Sequence, residues 1–159
     1  MILYLDTSSL VKLYVEEEDS PKIADLVSSS KVAATSLIGY TEARSAFARR
    51  FREKAFSKKV YGRLISFFNK DWDNYLIVRV TEELVRLAGD LAEKHGLRGF
   101  DAIHLSSALT LRQEISSPII FSCSDRKLQE ASQRENLKQP AQQLGPNRDK
   151  ESATAQEPE

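Results

Sequence analysis

The chain has 159 residues, of which 41% are hydrophobic; this supports one domain with a substantial core and excludes two ordinary domains. Lysine plus arginine and aspartate plus glutamate both number 23, so the net charge gives no sign of an acidic or a basic partner. The single cysteine, Cys123, excludes an intrachain disulfide, and no apolar run approaches the ~20 residues of a membrane-spanning helix. Since no signal-peptide pattern is visible either, we expect a soluble, cytoplasmic protein.

The first half of the chain alternates short apolar runs with longer segments of helical periodicity. The apolar run Ile2 to Leu5 predicts a buried strand, and apolar residues at helical spacing follow it. Pro21 predicts the start of a second helix, because proline at the first helical position loses no hydrogen bond. The other predictions for this half are a strand over Lys31 to Thr35, a helix from about Ile38 to Lys54, and a helix capped by Ser57 that runs to about Lys70.

The second half continues the same alternation. Tyr75 to Val80 predicts a third strand, and the helix after Thr81 has acids in its first turn, where they stabilise the helix dipole. Gly96 ends that helix, and the stretch LRGFDAIHLSSAL, from Leu97 to Leu109, predicts another. The last predicted features are a break at Pro118, a strand over Ile119 to Phe121, and a short helix after Asp125.

Strands separated by helices require crossover connections, which are typical of a largely parallel sheet covered by helices on both faces. We therefore predict an α/β fold with three layers, in which a central parallel sheet of four to five short strands is flanked by helices. This domain is expected to span residues 1–137. Residues 138–159 are poor in aromatic and β-branched residues and rich in Gln, Pro, Ser and charge, which predicts a disordered polar tail.

Two aspartates come after predicted strands. Asp6 directly follows the first strand, and Asp125 comes shortly after the fourth. In open parallel sheets the functional crevice lies outside the carboxyl ends of the strands, so both are candidate site residues. Either could instead cap the helix that follows it. Because Thr7, Ser8 and Ser9 can also cap a helix, Asp6 is less necessary for capping than its position first suggests.

Two further acids lie on predicted helices beside apolar residues. Glu42 has Ile38 and Ala46 at positions i−4 and i+4, so it is expected on or beside the stripe that faces the core. A carboxylate in such a place needs a partner or a metal ion. Asp101 precedes Leu105 by one helical turn, so its side chain is expected to point toward the packed side or its rim. An ordinary solvated or capping role is the alternative for each acid taken alone.

Four carboxylates that converge require positive charge, because two within ~4–6 Å of each other raise each other's pKa. Divalent metal ions commonly supply that charge. A set of oxygen ligands without a cysteine or histidine cluster suits Mg²⁺ or Mn²⁺ rather than Zn²⁺. Such ions lower the pKa of a bound water and neutralise a phosphodiester, which is the chemistry of metal-dependent nucleases.

Four segments carry a family pattern, in the order YLDTSSLVKLYV, TSLIGYTEARSAF, LRGFDAIHLSSAL and IFSCSDRKL. Together they resemble the PIN-domain ribonucleases, and most closely the VapC toxins of bacterial and archaeal toxin–antitoxin pairs. The DTSSLVK and DAIHL segments are fairly specific as a pair, whereas each alone is a weak signal. The resemblance covers roughly Ile2 to Leu137, which is nearly the whole predicted domain.

This resemblance implies a PIN fold and an endoribonuclease in which a water activated by Mg²⁺ or Mn²⁺ hydrolyses RNA. The family's acidic residues carry over onto Asp6, Glu42, Asp101 and Asp125, which become the expected catalytic and metal-binding residues. Asp6 and Asp101 would be the main direct ligands. Glu42 would bind metal or position its water, and Asp125 would complete a second site or an outer shell.

The resemblance also implies supporting residues and partners. Ser8 matches a hydroxyl often found two residues after the first acid and could hydrogen-bond Asp6. Cys123 stands where the family commonly has threonine, and because a thiol is a poorer hydrogen-bond donor than a hydroxyl, the neighbourhood of Asp125 departs from the family pattern. The implied partners are an RNA substrate, a small VapB-like antitoxin that neutralises the enzyme, and a second copy in a homodimer.

A basic segment between Arg44 and Arg63 contains eight lysines and arginines against one acid, Glu53. This local positive charge suits contacts with a phosphate backbone. A solvated helix pair and an antitoxin-binding surface are alternatives that the sequence leaves open. The residues singled out for RNA or partner contact are Arg44, Arg49, Arg50 and Arg52.

His104 lies three residues beyond Asp101, with apolar neighbours and no second histidine nearby. This setting predicts a structural hydrogen bond rather than a metal ligand. The alternative for the whole chain is a catalytically weak PIN-fold module that binds RNA or a protein without cleaving. The intact acids favour the enzyme.

Overall fold

The computed structural model describes residues 1–140, and residues 141–159, which hold most of the predicted tail, lie outside the described part. Within residues 1–140 four strands and seven helices alternate much as the sequence predicts. In chain order the elements are β1 (Ile2–Leu5), α1 (Thr7–Val11), α2 (Ser20–Ser29), β2 (Val32–Ser36), α3 (Gly39–Arg52), α4 (Lys58–Trp72), β3 (Leu76–Val78), α5 (Glu82–His95), α6 (Gly99–Glu114), β4 (Ile119–Ser122) and α7 (Arg126–Arg134).

The four strands form one sheet in the order β3-β2-β1-β4, and every pairing in it is parallel. The predicted α/β fold with a central parallel sheet is therefore confirmed. Strand β3 is shorter than the predicted stretch from Tyr75 to Val80. It is an edge strand, and only Leu76 to Val78 are in register with β2.

Two hydrophobic clusters cover the two faces of the sheet, as alternating side chains of β1 illustrate. Ile2 and Tyr4 belong to the cluster formed with α5, α6 and α7. Leu3 and Leu5 belong to the cluster formed with the first four helices. The fold therefore has the three predicted layers, with β1 at the centre and buried throughout.

The carboxyl end of β1 is held firmly against its neighbours. The backbone N–H of Asp6 donates to the carbonyl of Ser122 in β4, at 3.0 Å. On the other side, the Thr35 hydroxyl of β2 donates to the Leu5 carbonyl at 2.8 Å. Residues that follow β1 therefore start from a fixed point in the middle of the sheet edge.

The described fold continues past residue 137. Lys138 pairs with Ile120 in an isolated parallel bridge, and its carbonyl accepts the Phe121 N–H at 2.8 Å. Gln139 is buried. None of the helices in residues 1–140 combines the length and apolar character that crossing a membrane requires.

Candidate active site

An open cleft of about 750 Å³ lies at the carboxyl ends of the strands. Asp6, Glu42, Asp101 and Asp125 all line it, although they come from four separate segments of the chain. The structure therefore brings together the four acids that the sequence singles out. Ser8 lines the same cleft.

Asp6 has two roles in the local structure. It is the N-cap of α1, where its Oδ1 accepts the backbone N–H of Ser9 at 2.9 Å. The expectation that Asp6 is less necessary for capping is therefore wrong, because Asp6 has the extended backbone of a cap residue while Thr7, Ser8 and Ser9 are already helical. The same Oδ1 accepts the Ser8 hydroxyl at 2.7 Å, so the predicted Ser8–Asp6 hydrogen bond is present.

Asp6 is only 5% exposed, and burial raises the pKa of its carboxyl above the usual value. The charge of His104 and the hydrogen bonds from Ser8 and Ser9 oppose this shift, whereas the negative charge of Asp101 adds to it. Two carboxylates thus repel each other across the cleft. A cation between them would relieve that repulsion.

Ser8 also connects the first acid to the loop after β4. Its hydroxyl oxygen accepts the backbone N–H of Ser124 at 3.0 Å while its hydrogen goes to Asp6. Behind it, the hydroxyls of Ser9 and Ser122 lie 2.9 Å apart in the buried interior. These serines fix Asp6 relative to the segment that carries Asp125.

Glu42, on the first turn of α3, is held by a hydrogen-bond network. The Thr7 hydroxyl donates to its Oε1 at 2.7 Å, and Nε2 of His104 lies 2.7 Å from the same oxygen. On the other side of the imidazole ring, the Tyr4 hydroxyl lies 3.0 Å from Nδ1. The tautomer of His104 decides which of these groups donates at each ring nitrogen.

His104 is 2% exposed, and its predicted structural hydrogen bond is present. The bond to Glu42 was not foreseen. Burial raises the pKa of the Glu42 carboxyl, but hydrogen bonding and charge from His104, with a further bond from Thr7, outweigh burial and lower it overall. Glu42 is therefore held as a carboxylate beside the cleft.

Asp101 lies at the rim, where its side chain is 21% exposed and bonded to Arg98. The guanidinium Nε of Arg98 donates to Asp101 Oδ2 at 3.1 Å, and Arg98 also lines the cleft. Sequence reasoning missed this residue. The i, i+3 spacing of opposite charges at the start of a helix was the signal that could have found it.

Asp125 is the N-cap of α7, and its Oδ1 accepts the Leu128 N–H at 2.9 Å. Cys123 is buried, and its thiol lies 3.7 Å from the backbone carbonyl of Asp125 rather than bonding to the carboxylate. Burial first, and then the negative charges of the nearby aspartates, raise the pKa of the thiol well above its usual range. Cys123 therefore stays protonated at the end of β4.

The four arginines divide into two pairs. Arg49 and Arg50 line the cleft, and Arg50 forms an ion pair with Glu17 from the loop after α1. Arg44 and Arg52 are not among the lining residues. The Arg44 guanidinium instead donates to the Tyr40 hydroxyl at 2.8 Å.

The donor chemistry of the site fits a hard divalent cation. Each of the four acids uses one carboxylate oxygen for hydrogen bonds within the protein, and no hydrogen bond from residues 1–140 reaches its other oxygen. In that same range no three His, Cys, Asp or Glu side chains already form a cluster that could hold an ion. One oxygen of Asp101 is held by Arg98.

Comparisons with known proteins agree with this architecture. The family model for the PIN domain matches residues 3–132. Ribonuclease VapC45 of Mycobacterium tuberculosis (strain CDC 1551 / Oshkosh) is 32% identical over 114 residues, which cover 69% of this chain and 76% of the relative.

Two solved structures are similar at low sequence identity. A toxin–antitoxin complex from Klebsiella pneumoniae aligns with a TM-score of 0.53 at 17% identity, covering 74% of this chain and 83% of that chain. FitAcB from Neisseria gonorrhoeae aligns with a TM-score of 0.61 at 15% identity, covering 89% of this chain and 99% of that chain. These two structures share the fold.

Proposed function

The chain belongs to the PIN-domain family as a VapC-like member, and we propose that it is an endoribonuclease that hydrolyses RNA phosphodiester bonds with Mg²⁺ or Mn²⁺. One observation carries the proposal: carboxylates from four separate segments line a single cleft at the carboxyl edge of a parallel sheet. The name of the relative, a ribonuclease, supports RNA as the substrate.

Asp6 and Asp101 are the proposed direct metal ligands. Both line the cleft, Asp6 directly after β1 and Asp101 on the first turn of α6. Glu42 would bind the metal or position a water molecule, and Asp125 would complete a second site or an outer shell. When bound, Mg²⁺ or Mn²⁺ would activate water for attack and neutralise the phosphate.

The protein's own contribution is to hold these carboxylates in place before the substrate arrives. Ser8 and the N–H of Ser9 fix one oxygen of Asp6 and leave the other toward the cleft without a donor from residues 1–140. Thr7 and His104 likewise hold Oε1 of Glu42 and leave its other oxygen without a donor from residues 1–140. Rigid placement reduces the reorganisation that binding an ion and a phosphate would otherwise require.

Arg49 and Arg50 are the proposed contacts for the RNA backbone. Both line the cleft, and a guanidinium can form two parallel hydrogen bonds to a phosphate. Glu17 pairs with Arg50 in the free protein, so an incoming phosphate would compete with that carboxylate. We expect RNA affinity to fall steeply with salt concentration, as counterion release requires.

We also propose a VapB-like antitoxin as the protein partner and a homodimer as the assembly. The similar structure from Klebsiella pneumoniae is a toxin–antitoxin complex, which supports the first point through the shared fold. Val60 and Phe67 are exposed apolar side chains on α4, and they are suited to protein contact. Under this proposal the protein works in the cytoplasm, where its RNA substrate is found.

Substitution of Asp6 by asparagine tests the proposed hydrolysis. Asparagine caps helices as well as aspartate does, so the variant should fold while losing a charged ligand. We expect cleavage of a cellular RNA pool in Mg²⁺ or Mn²⁺, followed on end-labelled products, to fall by at least about 100-fold.

The matched control is Asp25→Asn, on the exposed side of α2 away from the cleft, which should cleave at the wild-type rate. An Asp6→Asn protein that retained wild-type cleavage would refute the proposal. Wild-type protein that bound RNA but cleaved none in either metal would instead indicate a binding module.

A further inference from the structure

An aromatic ring stands exposed beside the proposed catalytic acids. Phe100 is 60% exposed and occupies the first turn of α6, immediately before Asp101. Within residues 1–140 it stacks on no other ring. Three other rings of the basic segment behave differently, because Phe51, Phe56 and Tyr61 stack on one another. Phe100 therefore offers a free aromatic surface at the edge of the site.

Phe100 lines a small pocket that adjoins the cleft. The pocket has a volume of about 410 Å³ and is lined by Phe100, Gly99, Arg98, Asp101 and Glu42. The last three of these residues also line the cleft, so the two spaces share a wall. Apart from its two chain neighbours and the backbone of its own helix, a side-chain carbon placed at Gly99 would meet no atom within 4 Å, so the space beside Gly99 is open.

Arg98 brings positive charge to the same rim. Its side chain is 82% exposed, and only Nε is used in the bond to Asp101. No hydrogen bond from its two terminal nitrogens to another residue is present in the described part of the chain. Those nitrogens can therefore donate to a phosphate oxygen next to the ring of Phe100.

We propose that Phe100 and Arg98 form a nucleotide subsite in which a base of single-stranded RNA stacks on the phenyl ring while Arg98 contacts its backbone phosphate. This inference rests on the proposed function and adds to it the residues that position the strand at the acids. RNA-binding proteins commonly splay unpaired bases onto aromatic side chains, and such stacking tolerates any base.

The charged lining of the pocket disfavours a protein side chain, and it suits a nucleotide once Arg98 and a bound cation offset its two carboxylates. Three of the five lining residues, Arg98, Asp101 and Glu42, are charged. The cores of protein–protein interfaces are depleted of charged residues, because burying them against a partner costs desolvation energy. A nucleotide has a flat apolar face for Phe100 and an anionic backbone for Arg98.

The test uses the full chain and a single-stranded RNA of about ten nucleotides that contains the fluorescent base 2-aminopurine. Binding is measured in Ca²⁺, a divalent ion that can offset the charge of the acids, and the RNA is checked on a gel to be uncleaved after the titration. Phe100→Leu keeps an apolar side chain and removes the stacking surface, so we expect about tenfold weaker binding and loss of the 2-aminopurine quenching. Phe100→Tyr should retain both affinity and quenching.

Val85→Ala is the control, since Val85 is an apolar side chain that is 45% exposed on α5 and lines neither the pocket nor the cleft. It should bind RNA like the wild type. Equal affinity and quenching in Phe100→Leu and wild-type protein would overturn the subsite. A Phe100→Leu protein that bound RNA normally but changed its sedimentation would overturn it too, and would assign the ring to a protein contact.

Different experimental results would refute the subsite and the proposed hydrolysis. If wild-type protein binds RNA with quenching that depends on Phe100 but cleaves none in Mg²⁺ or Mn²⁺, the hydrolysis is refuted and the subsite is supported. If it cleaves RNA and Phe100→Leu leaves KM unchanged, the subsite is refuted while the hydrolysis is supported. If wild-type protein neither binds nor cleaves single-stranded RNA, both are refuted.

Discussion

Two histidine–glutamate pairs of nearly equal length join distant parts of this chain. In the cleft, His104 Nε2 lies 2.7 Å from Glu42 Oε1. At the far end of α5, His95 Nε2 lies 2.6 Å from Glu135 Oε1, which tethers α5 to the end of α7. Both imidazoles are almost fully buried, with 2% and 3% of the side chain exposed. The two pairs differ in what else reaches the glutamate.

Glu135 is also paired with a cation, because Lys94 Nζ lies 2.6 Å from its Oε1. Its carboxylate is thus neutralised within the protein, and the cluster joins helices. Glu42 instead accepts a hydrogen bond from the neutral hydroxyl of Thr7, and it lines the cleft. The remaining neighbours of a histidine–glutamate pair, rather than the pair itself, therefore decide whether its charge is available to a ligand.

Removal of the imidazoles should have the largest effect and should separate the two pairs. His104→Ala leaves the buried Tyr4 hydroxyl without its ring partner and opens a cavity beneath Glu42. We expect the free energy of unfolding, measured in urea, to fall by about 2–4 kcal/mol. His95→Ala should lower the free energy of unfolding by a smaller amount, because Lys94 still pairs with Glu135. A larger loss for His95→Ala would reverse this ranking.

The positions of several candidate site residues could be predicted, because local pattern and a general rule suffice for them. Asp6 ends an apolar run at the start of a chain that alternates strands and helices, and β1 indeed lies between β2 and β4. Asp125 follows β4 in the same way. The half-buried position of Glu42 followed from its apolar neighbours at i−4 and i+4. Each of these inferences needs only sequence neighbours and a parallel sheet.

The bond between His104 and Glu42 could not be predicted in that way. The two residues are 62 positions apart, and their helices pack on opposite faces of the sheet and approach at its carboxyl edge. Which residue of α6 reaches which residue of α3 depends on how each helix is rotated about its axis. That rotation is set by how the two hydrophobic clusters pack. The periodicity of the sequence does not predict which helical turn then faces the site. The pairing of Lys138 with β4 and the bond from buried Gln139 to α7 likewise depend on tertiary contacts.

Substitution of the glutamates should give opposite results at the two pairs. Glu42→Gln keeps the shape of the side chain and removes its charge from the cleft, so we expect RNA cleavage to fall by about tenfold or more and Mn²⁺ affinity to weaken. Glu135→Gln should leave cleavage unchanged, because Glu135 does not line the cleft. It should instead lower the free energy of unfolding by up to about 1 kcal/mol. Equal cleavage in both variants would remove the functional distinction between the pairs.

The pH dependence of stability offers the smallest and most specific effect. Hydrogen bonds from Lys94 and His95 lower the pKa of Glu135 below its ordinary value of 4.5. A carboxyl whose pKa is lower in the folded state stabilises the fold above its unfolded pKa, and that stabilisation is lost as the pH falls through the folded value. The difference in unfolding free energy between wild-type and Glu135→Gln protein should therefore be full at neutral pH and shrink below about pH 4.5. Urea unfolding of both proteins across this range measures it, and a difference that grew toward acid pH would contradict the assignment of the shift to this cluster.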